Sequence, residues 1–294
     1  MEENTAYSNL PEQNSLIKRD SGWRILKKLC RNKSVIVGAV LIFIIIFIAI
    51  FAPVLAPNDP YETNAVLAKK GPDKAYPFGC DEVGRCVLSR MIYGARVTIP
   101  YSVLALLIAV VIGLFFGLIS GYYSFLDNSI MRLMDVLMAF PGMLLAIAII
   151  ATLGQGLINV TIAVGLGTMP AYARLIRGAV LSLKKMPYVE ASISAGASDF
   201  RIIIRHILPN CVPTIIVYSM LEMAWIIMSI STLSFLGIGV TPPIPEWGAL
   251  ISSGKNFIMS APHISGFPVI FILVTVTGFN LLGDGLRDVL DPRL

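Results

Sequence analysis

Charged residues are scarce in this sequence. Asp, Glu, Lys and Arg together make up 14% of the 294 residues, against roughly a quarter of an ordinary soluble domain. Hydrophobic residues make up 56%, and many of them stand in long runs without a charge. This composition excludes an ordinary water-soluble domain and is typical of a protein that crosses a membrane several times.

Cysteine and histidine are nearly absent as well. No C-x-x-C pair stands with a second pair or with histidines downstream, and the four cysteines are scattered along the chain (Cys30, Cys80, Cys86, Cys211). The two histidines, His206 and His263, fall on opposite sides of the predicted membrane, which leaves no cluster for a metal ion or a nucleophile relay. We therefore predict no metal site and no catalytic residues, and we do not expect an enzyme.

The sequence also lacks a recognisable nucleotide-binding loop. The nearest approach to the phosphate-loop pattern G-x-x-x-x-G-K-[ST] is GALISSGKN at 248–256, where the glycines are one position too far apart and Asn256 replaces Ser or Thr. GQG at 154–156 has no third glycine and no preceding strand, so a dinucleotide site is not supported either. We expect no cofactor in this chain, so a transporter of this kind would take its energy from elsewhere.

What the sequence does contain is a set of apolar segments long enough to cross a bilayer. The first, VIVGAVLIFIIIFIAIFAPVLA, carries no charge, and about 20 helical residues cross the roughly 30 Å hydrocarbon layer. A cleaved signal peptide is rejected because 34 residues precede this run. We predict an all-α membrane protein with about six spans: 35–56, 97–120, 133–153, 158–178, 212–236 and 267–286.

Small residues and one charge stand inside these spans. Gly113, Gly117 and Gly121 are four residues apart in the second span, which predicts close packing against another helix. Glu222 lies about ten residues into the fifth span, where a carboxylate costs roughly 2.5 to 3.5 kcal/mol at the bilayer centre. Glu222 therefore has two interpretations. It is part of a polar pathway, where it could line the pathway or carry a proton, or it is a carboxyl that only hydrogen-bonds to a neighbouring helix.

Basic residues beside the spans predict the orientation. Seven Lys and Arg residues precede the first span, and the twelve residues after it, 57–68, carry none. We therefore place the tail, 1–34, in the cytoplasm, the loop 57–96 outside, and the C-terminus of the core, 97–294, in the cytoplasm. The net charge of +5 is attributed to the membrane surface and not to nucleic acid.

The segment EASISAGASDFRIIIRHILPN at 190–210 is polar for such a chain. Apolar residues recur in it at steps of 4, 3, 4 and 3 and are predicted to face the helix bundle (Ile193, Ala197, Phe200, Ile204, Ile207). Gly196 is predicted to end a first helix, Ser198 to cap a second that starts at Asp199, and Pro209 to end it. The segment is either a plain interfacial connector or a surface through which a partner drives the protein. The missing energy source favours the partner.

These residues resemble the EAA loop of binding-protein-dependent ABC transporter permeases, with the form E-A-A, three residues, G, nine residues, I-x-L-P. Five positions match in register (Glu190, Ala191, Gly196, Leu208, Pro209), whereas Ser192 replaces the second alanine and His206 occupies the isoleucine position. Stretches at 76–96, 233–248 and 280–294 resemble further signatures of the dipeptide and oligopeptide branch. The resemblance covers nearly the whole chain from about Trp23.

The resemblance implies the type I ABC importer permease fold, with a cytoplasmic coupling loop over about 184–210. It implies a heterodimeric pathway of two permease subunits, two ATP-binding cassette subunits that hold ATP and Mg, and an external substrate-binding protein, in the bacterial plasma membrane. Coupling to the ATPase falls on one set of residues (Glu190, Ala191, Gly196, Ala197, Ser198, Asp199, Arg201). Di- or oligopeptides are the expected substrate. Nickel or a metal chelate is the alternative, and a proton-coupled secondary transporter using Glu222 is the rival from another class.

Cys80 and Cys86 depart from the branch, which usually has threonine and aspartate at these positions. Both fall in the predicted external loop, where disulfides persist, and only five residues separate them. We hypothesise a small disulfide loop, with two independent free thiols as the alternative.

Overall fold

The computed structural model describes residues 27–240 and 242–290 of the chain, so most of the predicted tail 1–34 lies outside the described residues. No β-strand occurs in the described ranges, which confirms the all-α prediction. The principal helices are α1 Lys33–Ile50, α2 Ala52–Leu55, α3 Val87–Tyr122, α4 Ser124–Met138, α5 Gly142–Leu153, α6 Leu157–Lys184, α7 Pro187–Ser194, α8 Asp199–Ile202, α9 Leu208–Phe235, α10 Trp247–Gly254 and α11 His263–Leu290.

Within the described ranges, four helical segments are long and apolar enough to cross a bilayer. They are α1, α3, the continuous segment Asp199–Phe235 and most of α11, and they correspond to the first, second, fifth and sixth predicted spans. The helix α3 has 36 residues and begins at Val87, inside the loop predicted over 57–96. The loop predicted over 57–96 is therefore shorter than expected, because helical structure extends beyond the apolar window.

The third predicted span, 133–153, is broken. The helix α4 ends at Met138, α5 begins at Gly142, and the two helices meet at an angle of 90°. With 12 residues, α5 is only about 18 Å long and cannot cross a bilayer alone. Pro141 accounts for the break, because proline donates no backbone hydrogen bond and disfavours the helical conformation of the residue before it.

The fourth predicted span, 158–178, lies within a continuous helix of 28 residues, α6, which is not apolar enough to qualify as a span by composition. Its polar end carries two arginines that pair with acids of α4. Arg174 lies 2.5 Å from Asp135, and Arg177 lies 2.5 Å from Asp127. These ion pairs hold α6 against α4 and supply the arginines with counter-charges.

The glycine row of α3 packs against α6, as predicted. A Cβ atom at Gly117 would stand 2.7 Å from the carbonyl oxygen of Ala173, and one at Gly121 would stand 2.6 Å from Cβ of Val180. Gly113 also faces backbone and side-chain atoms of α6. The two helices approach this closely because these positions lack side chains. The contact brings the C-terminal ends of α3 and α6 together beside the polar segment that follows.

Candidate functional site

The polar segment begins with α7, which ends in a turn at Gly196. The amide of Gly196 donates to the carbonyl of Ile193 at 2.9 Å, and the amide of Ala197 donates to the carbonyl of Ser192 at 3.1 Å. These are the two hydrogen bonds of a Schellman motif. Gly196 has φ of +77°, a left-handed conformation that is unstrained for glycine. The predicted helix end at Gly196 is confirmed.

The second helix begins at Asp199, as predicted, but Pro209 does not end it. After α8 the chain forms a π-helical turn, Ile203–Ile207, and enters α9, so that Asp199–Phe235 is continuous. Pro209 lies in the first turn of α9, where the wider π turn tolerates its missing amide donor. Ser198 occupies the N-cap position, yet its side chain makes no capping hydrogen bond. The prediction that the second helix ends at Pro209, apart from the fifth span, is therefore wrong.

The predicted apolar stripe does not face the bundle. Of its five residues only Ile207 is fully buried, whereas Phe200 is 75% exposed, Ile193 46% and Ile204 45%. The turn at Gly196 is the physical reason, because it redirects the chain and a helical wheel counted across it combines two different helices. The π turn shifts the helical register a second time.

The residues that the resemblance assigns to coupling lie along α7, the Gly196 turn and α8. Ala197 is partly buried, and the others are exposed (Glu190, Ala191, Gly196, Ser198, Asp199, Arg201). Phe200 protrudes among them. The exposed residues of 187–205 are called the α7–α8 surface from here on. Its mixture of charged and apolar groups distinguishes it from the apolar faces of the spans.

One hydrogen bond fastens this surface to the end of α3, and a second joins the ends of α3 and α6 beside it. The hydroxyl of Tyr122 donates to Asp199 Oδ1 at 2.8 Å, and Lys184 Nζ donates to the carbonyl of Tyr122 at 2.8 Å. Through its bond to Tyr122, Asp199 therefore positions α8 against the end of α3 in the same chain. The hydroxyl of Ser192 donates to the carbonyl of Tyr188 at 2.8 Å. Ser192, which stands where the family has alanine, therefore donates its hydroxyl hydrogen within its own helix and adds no free donor to the surface.

A second candidate site lies among the membrane helices. The helices α5, α6 and α9 border a cavity of about 200 Å³. Glu222, Trp225 and Ser229 line it at helical spacings of three and four residues along one face of α9, and Thr168 lines it from α6. Sequence reasoning identified Glu222 but missed the other three residues. Their shared helical face was the available signal.

Cys80 and Cys86 lie opposite each other in an isolated antiparallel bridge. The residues flanking them make the backbone hydrogen bonds, at 2.9 and 3.0 Å, so the cysteines form a non-hydrogen-bonded pair, in which Cα atoms lie about 4.5 Å apart. That separation falls in the range of disulfides. Both residues are buried free thiols in this structure, and burial raises the pKa of Cys80 to about 11. The disulfide stays a prediction.

Buried charges of the 76–96 signature hold the region before α3 together. Asp81 Oδ2 accepts a hydrogen bond from Arg85 Nε at 2.6 Å and lies 3.5 Å from Arg90 Nε. Arg90 also donates to the carbonyls of Pro60 and Pro243, at 3.1 and 3.3 Å. These contacts fasten the loop that precedes α3 to the start of that helix, so these residues have a structural role.

The 233–248 signature supplies a second buried acid, Glu246. Its carboxylate accepts hydrogen bonds from the hydroxyls of Thr98 and Ser231, at 3.4 and 3.2 Å, and from the amide of Ala249 at 2.9 Å. Burial raises the pKa of Glu246, and the hydrogen bonds from backbone amides partly oppose that increase. This acid joins α10 to α3 and α9, which indicates a structural role for it as well.

Comparison with known proteins identifies the family. The model described as "Binding-protein-dependent transport system inner membrane component" matches residues 109–294, and that of the "N-terminal TM domain of oligopeptide transport permease C" matches residues 21–72. The glutathione transport system permease protein GsiD of Pectobacterium atrosepticum is 46% identical over 226 residues, covering 76% of this chain and 75% of that protein. GsiD of Shigella dysenteriae is 46% identical over 225 residues, covering 76% and 74%.

Among solved structures, the MetNI methionine ABC transporter in an inward-facing conformation is similar. The TM-score is 0.56 at 18% sequence identity, and the match covers 68% of this chain and 96% of that chain. At this identity the likeness shows the fold alone, and it confirms the expected type I importer permease fold. The first family model matches more than half of the chain. The chain therefore belongs to the binding-protein-dependent transport system inner membrane components, the permease subunits of ABC importers.

Proposed function

We propose that this chain forms half of the pathway of an importer for di- or oligopeptides, and that a separate ATPase drives it through the α7–α8 surface. The observation that carries the proposal is the position of Phe200. This aromatic side chain is 75% exposed and stands between Asp199 and Arg201 on a surface anchored by the Tyr122 hydroxyl. Exposed aromatic groups among charged residues are typical of protein interfaces.

The turn at Gly196 supports the same proposal. Its two hydrogen bonds hold α7 and α8 in one arrangement, so the surface is pre-organised for a partner. The chain also shows no nucleotide-binding pattern, which leaves ATP and Mg to the partner ATPase. Within the proposal, no residue of this chain is catalytic.

The relatives support a peptide as the substrate. The permeases that are 46% identical to this chain are named for glutathione, which is itself a small peptide, and one family model is named for oligopeptide transport. These names favour peptides over nickel or a metal chelate. The proposed importer also contains a second permease subunit and an external binding protein, which delivers the substrate.

The proposed orientation follows from the basic residues. Lys184 and Lys185 precede the α7–α8 surface, Arg201 and Arg205 lie on it, and basic residues favour the cytoplasmic side. The proposal therefore places this surface and both termini in the cytoplasm. The region 57–86 then lies outside, where a binding protein would dock.

Copurification from native membranes tests the proposal. An affinity-tagged chain is expected to bring down an ATPase and a second permease subunit. The complex, reconstituted in liposomes with the binding protein outside, is expected to take up dialanine only when ATP is enclosed. The rival secondary transporter predicts uptake by the purified chain alone, driven by a proton gradient. That result, or a native complex without an ATPase, would overturn the proposal.

A further inference from the structure

Glu222 is the only ionisable side chain among the residues that line the cavity between α5, α6 and α9. It lies inside the 37-residue segment Asp199–Phe235, and a carboxylate within a membrane span is expensive and is typical of a substrate or ion pathway. The cavity of about 200 Å³ holds more than one water molecule, since a water occupies about 30 Å³. A polar group larger than water therefore fits beside this carboxyl.

The two hydroxyl side chains of the cavity, those of Thr168 and Ser229, are hydrogen-bond acceptors toward it. The hydroxyl of Thr168 donates to the carbonyl of Val164 at 2.9 Å, and the hydroxyl of Ser229 donates to the carbonyl of Trp225 at 2.8 Å. Each hydroxyl therefore donates its hydrogen to a carbonyl of its own helix, and its oxygen still has lone pairs that can accept a hydrogen bond. Together with the carboxyl of Glu222, these oxygens suit a ligand that donates several hydrogen bonds.

No cation of the described chain is paired with Glu222. Its hydrogen-bond partner is the hydroxyl of Tyr218. The arginines of α6, Arg174 and Arg177, pair with acids of α4 instead. The carboxyl is therefore available to form an ion pair with a cation that comes from outside the chain.

An aromatic ring completes the arrangement. Trp225 is 53% exposed and lies three residues after Glu222, on the same face of α9. A tryptophan face attracts ammonium groups, and the attraction grows when water is excluded. A carboxyl, two hydroxyl oxygens and an indole ring form a set that complements an ammonium group.

We propose that this cavity binds the terminal ammonium group of the peptide in transit, with Glu222 as its counter-charge and Trp225 as the aromatic wall. This inference rests on the proposed function, because it deepens the substrate recognition of the same pathway. It assigns Glu222 to substrate contact and not to proton coupling. A cationic side chain of the second permease subunit is the competing occupant.

The test uses the copurified complex in liposomes with ATP inside and with the binding protein loaded to saturation. The probes are dialanine and N-acetyl-dialanine, which lacks the ammonium group, and uptake of each is normalised to its occupancy of the binding protein. Glu222→Gln is expected to lower dialanine uptake at least tenfold, to leave N-acetyl-dialanine uptake within twofold, and to leave ATP hydrolysis stimulated by the loaded binding protein within twofold. Glu222→Asp is expected to restore part of the dialanine uptake. Asp288→Asn removes one carboxylate charge from an exposed position of α11, outside every surface proposed to bind a partner, and serves as the control.

Each other outcome overturns the inference. Unchanged dialanine uptake by Glu222→Gln would remove Glu222 from the pathway. Equal loss for both probes would show that the residue does not recognise the ammonium group. Loss of complex assembly together with ATP hydrolysis would point to a pair with the second permease subunit. Failure of the wild-type complex to take up dialanine would instead refute the proposed function, so the two failures are distinguishable.

Discussion

Replacing Gly196 by aspartate is expected to stop transport without unfolding the chain. The residue has φ of +77°, where a side chain costs roughly 1 to 2 kcal/mol and Asp and Asn are tolerated better than most. A Cβ atom here would meet no heavy atom within 4 Å, so the chain itself offers no clash. The penalty is small beside the roughly 5 to 15 kcal/mol that stabilises a typical protein, and we expect the variant to fold and insert.

The loss of transport is expected to arise at the interface with the ATPase. Gly196 is exposed in the middle of the α7–α8 surface, and aspartate would place a new charge where the partner is proposed to dock. An unpaired charge buried at an interface costs roughly 2 to 5 kcal/mol. Because 1.4 kcal/mol corresponds to a factor of ten, we expect uptake to fall by about 30-fold or more.

Gly196→Asn is the matched control, because asparagine has nearly the size of aspartate and a similar tolerance of left-handed backbone but carries no charge. The assay measures dialanine uptake by cells whose own gene is replaced, the amount of chain in the membrane and the amount of copurified ATPase. We expect the Asn variant to retain much of its uptake and the Asp variant to lose both ATPase and uptake. Normal uptake by the Asp variant, at a normal amount of chain, would refute the reasoning. Equal loss in both variants would locate the effect in the backbone turn.

Three further predictions concern other parts of the chain. Phe200→Ala is expected to change stability by less than about 0.5 kcal/mol and to lower the amount of copurified ATPase about tenfold or more. The control Phe43→Ala, which removes a 69% exposed ring from α1, should leave the ATPase bound. Equal effects of the two variants would contradict the assignment of Phe200 to the ATPase interface. Gly117→Leu is expected to lower the thermal midpoint of the detergent-solubilised chain by about 2 to 10 °C, since overpacking costs about 1 to 3 kcal/mol; an unchanged midpoint would argue against close packing there. Maleimide labelling in denaturant, followed by peptide mass mapping, is expected to find Cys80 and Cys86 unlabelled until reductant is added, and labelling of both without reductant would exclude the disulfide.

The sequence by itself determined the membrane class, the helix end at Gly196 and the packing of the glycine row at Gly117. Each depends on local chemistry. An uncharged run of about 20 residues is stable across a bilayer as a helix. A glycine after a short helix adopts the left-handed conformation at low cost, and small residues four apart make one smooth helix face. The EAA-like pattern also carried the family assignment, which the 46% identity to known permeases confirmed.

Only the tertiary structure decided how the helices are interrupted and what their faces contact. Pro141 interrupts the helix, whereas Pro209 lies within a continuous helix. The π turn that precedes Pro209 tolerates the missing backbone donor. Phe200 belongs to an apolar stripe on the helical wheel but is exposed in the structure, since the turn at Gly196 reorients α8. The cavity beside Glu222 combines the consecutive helices α5 and α6 with α9, which is distant from them in sequence. Their arrangement depends on long-range packing, which the periodicity of one segment does not contain.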